Sequence, residues 1–338
     1  MIRSHRPAIR FAGVSSALIA VVVAVGVASA PAASAGQHSR TKTTSGLSTS
    51  RMLFDSNRNG VNYEIYSMST TGTGVTSLTS NQQYDSWWPR LSPDRKRIVF
   101  YRTPRGTYDH DYTKTSLWAM NYDGSGLTQL LAVGAHGWAE HGHAEWSPDG
   151  SHLVMFAGQL INPQLYVTDD LGRNPRQLTS RPGLNIDPSW SPSGTTVTFT
   201  GCPTASCNAA AMEVYTIPAA GGTATRVTSD TMRDNDPYFS PDGSRIAWLT
   251  QTSTTGGAVG AWNIRVAQAD GSRLGYITND ANVNSRPQWS HDGTLIYFHR
   301  LVYSDPPPRF DIYVIHADGT SLTSLTAGQP GSAAYPSL

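Results

Sequence analysis

The chain has 338 residues, with 25 basic and 24 acidic side chains and a formal net charge of +1. Charged residues make up 14% of it and no run of Lys or Arg occurs, so the sequence gives no electrostatic reason to expect nucleic acid or an anionic membrane as partner. The Gly and Pro counts, 31 and 21, point instead to a chain with many turns between short strands.

The first segment reads as an export signal. Arg3, Arg6 and Arg10 form a basic start, Phe11 to Ala30 is apolar without a charge, and Ala33-Ser34-Ala35 offers a small-residue cleavage site. Residues 1–35 are therefore expected to be a signal peptide. Left uncleaved, the apolar run would instead anchor the chain in a membrane. Without its three arginines the mature chain carries 22 basic against 24 acidic residues, a formal charge of −2. Residues 36–50 are polar and rich in Ser and Thr, the composition of a disordered linker.

From residue 51 to 338 one short phrase recurs at intervals of about 44 to 55 residues: Ser92-Pro93-Asp94-Arg95, Ser147-Pro148-Asp149-Gly150, Ser191-Pro192-Ser193-Gly194, Ser240-Pro241-Asp242-Gly243 and Ser290-His291-Asp292-Gly293. The phrase suits a tight turn, and each unit around it reads as four short strands. In one unit these are Asp236–Ser240, Ser244–Leu249, Trp262–Ala267 and Leu274–Thr278. Pro89, Pro188, Pro237 and Pro287 stand three residues before the repeated serine, with Ala144 in the remaining unit. Trp146, Trp190, Phe239 and Trp289 recur at matching points, as residues packing one unit on the next should. The last residues, Tyr335 to Leu338, restart the pattern with a single strand, while the segments beginning at Met52, Tyr63 and Val75 match the second, third and fourth strands. Joining them would complete a unit and leave no exposed sheet edge. The expectation is an all-β, six-bladed β-propeller of four-stranded antiparallel blades, closed by the C-terminal strand entering the N-terminal blade.

The Pro-x-Trp-Ser-Pro-Asp-Gly phrase, with an Asp-Gly turn and a Leu-Thr strand following, resembles the TolB-type propeller repeat, the WD40-like PD40 repeat. It lacks the Gly-His and Trp-Asp signatures of WD40 units proper. The resemblance implies a fold family and no single activity, since such repeats occur in binding proteins, peptidase accessory domains and some polysaccharide lyases. Residues 36–50 are too few for the N-terminal domain of TolB proteins, so a place in a Tol system is not expected.

Long insertions at residues 102–116, 131–143, 201–211, 251–261 and 301–310 would gather on one face, giving a loop-rich surface around the channel mouth. Two of them carry the densest polar cluster. His110 lies in one; His136, Glu140, His141 and His143 lie in the other, and these five are the candidate ligands for a divalent metal. His141 and His143 are two apart, which on a regular strand aims both at the same side. Trp88, Tyr108, Trp138 and Tyr303 are the candidate ligand-contacting aromatics, and of Trp87 and Trp88 one is expected at the channel or a blade interface. Cys202 and Cys207 read as a local disulfide formed after export. No Gly-x-Ser-x-Gly elbow, Gly-x-Gly-x-x-Gly or phosphate loop occurs. No catalytic residue is assigned and no cofactor is expected. The sequence reading is an exported, monomeric, non-catalytic binding or scaffold protein taking a protein or carbohydrate ligand on its loop-rich face. The alternative is a metal-assisted extracellular carbohydrate-active enzyme of the polysaccharide-lyase type, using the histidine cluster.

Overall fold

The computed structural model describes residues 50–204, 211–253, 260–303 and 308–338. In chain order the strands are β1 (Arg51–Ser56), β2 (Glu64–Ser69), β3 (Thr76–Ser77), β4 (Tyr84–Leu91), β5 (Arg97–Pro104), β6 (Ser116–Asn121), β7 (Thr128–Leu131), β8 (Glu140–Trp146), β9 (His152–Gln159), β10 (Asn162–Asp169), β11 (Arg176–Gln177) and β12 (Asn185–Trp190). They continue with β13 (Thr196–Gly201), β14 (Glu213–Pro218), β15 (Thr225–Arg226), β16 (Arg233–Phe239), β17 (Arg245–Ser253), β18 (Ala261–Gln268), β19 (Gly275–Tyr276), β20 (Val283–Trp289), β21 (Leu295–Val302), β22 (Arg309–His316), β23 (Thr323–Ser324) and β24 (Ala333–Ser337).

Consecutive fours pair antiparallel, β4 to β7, β8 to β11 and β12 to β15 each forming one sheet. The strands from β16 to β23 form two further fours, joined by one parallel bridge between Trp262 and Val283. The remaining sheet has the order β24-β1-β2-β3, so the last strand pairs with the first, Ala333 facing Ser56 and Ser337 facing Leu53.

The repeated phrase forms the turn between the first and second strand of each of the five fours whose strands are consecutive in the chain. Ser92, Ser147, Ser240 and Ser290 donate their hydroxyls to the aspartate two residues on, at 2.5–2.6 Å. Each also accepts from the backbone N–H five residues on, at 2.9 Å. Gly150, Gly194, Gly243 and Gly293 take φ near +70°, which only glycine adopts without strain. Neighbouring turns stack: the Cβ direction of each of these glycines meets the proline of the preceding turn, Pro93, Pro148, Pro192 and Pro241, at 3.6–3.7 Å.

The recurrent tryptophans pack between neighbouring fours, as their spacing predicts. The indole N–H groups of Trp146, Trp190 and Trp289 donate to Arg90 O, Glu145 O and Tyr238 O at 3.2 Å, each tying one first strand to the preceding one. Burying an indole while satisfying its single donor makes each such contact both apolar and directional.

Candidate functional site

Every first strand is broken by a bulge at the same place. The pairing register slips between Trp87 and Arg90 in β4, Gly142 and Glu145 in β8, Ile186 and Ser189 in β12, Asn235 and Tyr238 in β16, and Ser285 and Gln288 in β20; the pairing of β24 with β1 slips as well. The extra residue is left-handed in each: Trp88, His143, Asp187, Asp236, Arg286 and Tyr335, with φ between 50° and 56°. Five stand directly before a proline and His143 before Ala144. A bulge re-aims the side chain it carries, and here all six side chains converge into one buried cluster.

Arg286 is its centre. Its guanidinium lies 3.1 Å from Asp187 and forms a second ion pair with Asp236. It also sits 4.2 Å from the Trp88 ring and 5.8 Å from that of Tyr335. His143 stacks on Trp88 at 4.0 Å between ring centres and places Nδ1 2.6 Å from Asp187 Oδ1. On its other side Nε2 lies 2.8 Å from the Tyr112 hydroxyl oxygen, which lies 2.5 Å from Asp109 Oδ1, so the one Tyr112 proton is shared between these two acceptors. The Tyr335 hydroxyl donates to the other Asp109 oxygen and closes the circuit. A second group lies against the same tryptophan: Arg90, 4.2 Å from the Trp88 ring, pairs with Glu145 at 2.5 Å, and Tyr238 bridges them at 3.1 and 2.9 Å.

Burial sets the charges. It pushes Asp236 well above the usual carboxylate range, an effect that Arg286 opposes and the Asp187 charge reinforces. Burial acts on Asp187 in the same sense, but Arg286 and His143 outweigh it and hold that carboxyl ionised, well below its ordinary value. His143 is lowered to about 4 by burial and by Arg286. The Arg286 guanidinium thus faces an Asp187 carboxyl that it helps hold ionised and an Asp236 carboxyl whose charge burial disfavours, beside an imidazole that burial keeps from charging.

The five metal candidates are dispersed. His143 is held in the cluster, whereas His141, fully buried, lies near the rings of Tyr101 and Trp138 at 5.7 and 6.4 Å and is lowered to about 4, chiefly by burial. The left-handed turn at His143 breaks the strand alternation, so the two imidazoles do not face one side as their spacing predicts. Exposed His136 lies 2.9 Å from Gly172 O through Nε2, and His110 is exposed beside Tyr108. Glu140 is pushed up to about 7 by burial and the nearby Asp111. Among the described residues no three His, Cys, Asp or Glu side chains group as a metal site would require.

Of the aromatic candidates, Trp88 is 1% exposed and Trp138 buried against Tyr166, at 4.8 Å; neither presents a surface for a ligand. Tyr108 is half-buried, stacked on Tyr63 at 3.6 Å and donating to Asp55 at 3.0 Å. Tyr303 alone of the four is exposed, at 54%. Cys202 is buried and Cys207 lies outside the described residues, as do residues 1–49, on which the signal and linker expectations fall. Sequence reasoning missed Asp187, Asp236, Arg286 and Tyr335; the residue before each repeated proline was the signal that could have found them.

Four-stranded sheets whose first strands converge on one axis define a β-propeller. Residues 134–256 match the TolB beta propeller domain, PD40. The chain is a TolB-like PD40 propeller. It is 29% identical to an uncharacterized protein of Agrobacterium fabrum over 188 residues, 53% of this chain and 59% of that one. It is also 29% identical to a TolB homolog of Chlorobium chlorochromatii over 209 residues, 60% of this chain and 41% of that one. The chain thus spans about half the length of these relatives. Among solved structures, TolB of Acinetobacter baumannii superposes with a TM-score of 0.67 at 18% identity, over 85% of this chain and 66% of that one. An oligogalacturonate lyase of Vibrio parahaemolyticus does so with 0.54 at 14%, over 83% and 76%. Both are likenesses of fold.

Proposed function

We propose that the chain is an exported, monomeric, six-bladed propeller, closed by β24 in the blade of β1, that acts as a non-catalytic binding or scaffold protein and takes a protein partner on its loop-rich face. One observation carries the non-catalytic reading. The Asp187–His143 pair has the form of a general base and its orienting carboxylate, yet its outward nitrogen is taken by Tyr112 and its ring face by Trp88. A base with no open flank cannot reach a substrate proton. The loops, with Tyr303 and the β9–β10 hairpin tip at Leu160 and Ile161, remain the accessible recognition surface, Ile161 being 87% exposed.

Closure is supported by the β24–β1 pairing and by the convergence of six first strands. Export rests on the sequence of residues 1–35. No helix among the described residues is long and apolar enough to cross a membrane. The disulfide between Cys202 and Cys207 is retained in this reading, since no free cysteine stands among the described residues. The lyase alternative would have to draw its metal from histidines that face different partners.

The test is site-specific photo-crosslinking from Ile161 on the loop-rich face and from Leu322 in a turn on the opposite face, in the producing cells. A partner adduct from Ile161 and none from Leu322 is expected. Adducts only from Leu322, or cleavage of oligogalacturonate with a stoichiometric divalent ion bound, would overturn the proposal.

A further inference from the structure

Of the three departures from the repeated turn phrase, Arg95, Ser193 and His291, two meet in space. Arg95 stands where the other turns carry glycine, and His291 where they carry proline. Elsewhere each glycine stacks on the proline of the preceding turn. The blade formed by β24, β1, β2 and β3 has no such turn, because its first two strands are not consecutive in the chain. Its neighbours on either side are the blades that begin with β20 and β4, whose turns carry His291 and Arg95. Arg95 Nη1 lies 2.8 Å from His291 Nε2, and Arg95 Nη2 donates to Arg51 O of β1 at 2.8 Å. The side chain thus spans the gap and fastens to the seam strand on the way. It does so from a left-handed backbone, φ 59°, where the glycines of the other turns are unstrained and an arginine is not.

We infer that Arg95 and His291 form a clasp that continues the stacked ring of turns across the seam blade, and that protonating His291 releases it. The inference rests on the six-bladed ring proposed above. Arg95 can donate only to a neutral imidazole; once His291 carries a proton, two cations face each other. Arg95 from the β4–β5 turn and Asp292 in its own turn act on His291, and Arg245 of β17 reaches the same turn, its Nη2 donating to Gly293 O at 3.2 Å. Partial burial and Arg95 hold the imidazole below its ordinary value, against the opposing pull of Asp292. The sign follows: the folded state prefers the neutral ring, so the clasp is whole above about pH 6.5 and is lost as the pH falls below it.

Hydrogen exchange of the β24 amides in the full chain, corrected for intrinsic rates, tests this. The wild type is expected to protect β24 at pH 7.5; Arg95→Ala, which keeps the left-handed strain and removes the clasp, should exchange there about two- to tenfold faster. His291→Gln retains an acceptor and should keep the protection while abolishing its loss toward pH 5.5. Arg95→Ala with His291→Ala should exchange no faster than either alone. Unprotected β24 amides in the wild type would refute the closed ring itself. Protected amides indifferent to Arg95→Ala, or additive effects in the double variant, would leave the ring and refute the clasp.

Discussion

Replacing Arg286 by methionine removes the cation ion-paired with both Asp187 and Asp236 and leaves both carboxyls in a site that is 1% exposed, with Arg233 the more distant cation acting on them. Breaking a buried pair by deleting one partner costs about 3–5 kcal/mol, because the remaining charge is uncompensated. At roughly 2 °C per kcal/mol for a domain of this size, the midpoint should fall by about 6–10 °C. The pH dependence carries the sharper test. In the wild type Asp187 is held ionised below its ordinary value, so its contribution is present above about pH 4 and is lost only as the pH falls further. Without Arg286 that carboxyl should titrate upward and be destabilising when charged, so the deficit should be largest at pH 7.5 and shrink toward pH 5. Urea unfolding of both proteins at several pH values measures it, and adding Asp187→Asn to the variant should recover part of the loss. A deficit below about 1 kcal/mol, or one constant from pH 7.5 to 5, would refute the account of a dry, charge-balanced axis.

His141 is fully buried and lowered to about 4, so the unfolded chain binds its proton first as the pH falls from 6.5 to 4; His141→Phe should flatten the acid loss of stability by about 1.4 kcal/mol per pH unit in that window, read from urea midpoints. A Cβ on Gly142 would meet Phe156 at 2.6 Å and Tyr112 at 2.8 Å, so Gly142→Ala should cost about 1–3 kcal/mol by overpacking, measured by the same unfolding. Tyr335→Phe leaves one Asp109 oxygen without its donor and should cost about 1–3 kcal/mol, read from urea unfolding of the two proteins.

The turns and interblade aromatics were legible in the sequence because they recur nearly unchanged from unit to unit: the same local chemistry needs similar residues. The axis was not, for the opposite reason. Trp88, His143, Asp187, Asp236, Arg286 and Tyr335 share a backbone conformation and no chemistry, and Arg286 meets Asp187 across 99 positions. The histidine cluster misled through the assumption of regular alternation, which holds until a bulge intervenes. Of Trp87 and Trp88 one was expected at the channel or a blade interface; Trp88, named as a ligand contact, lies at the axis, walled in by partners far along the chain. Arg95 and His291 stand 196 positions apart and only the fold sets them side by side.

The left-handed step at the bulge separates delivery from identity. The backbone carries whatever residue stands before the proline to the centre, and the surrounding turns and tryptophans are indifferent to which residue that is. Six addresses can thus be rewritten together, like letters in a fixed frame, provided their charges still compensate one another. A chain with the same repeats and six other residues at these addresses would keep this architecture and have a different interior: a hydrophobic plug, a hydrated pore or a ligand cage.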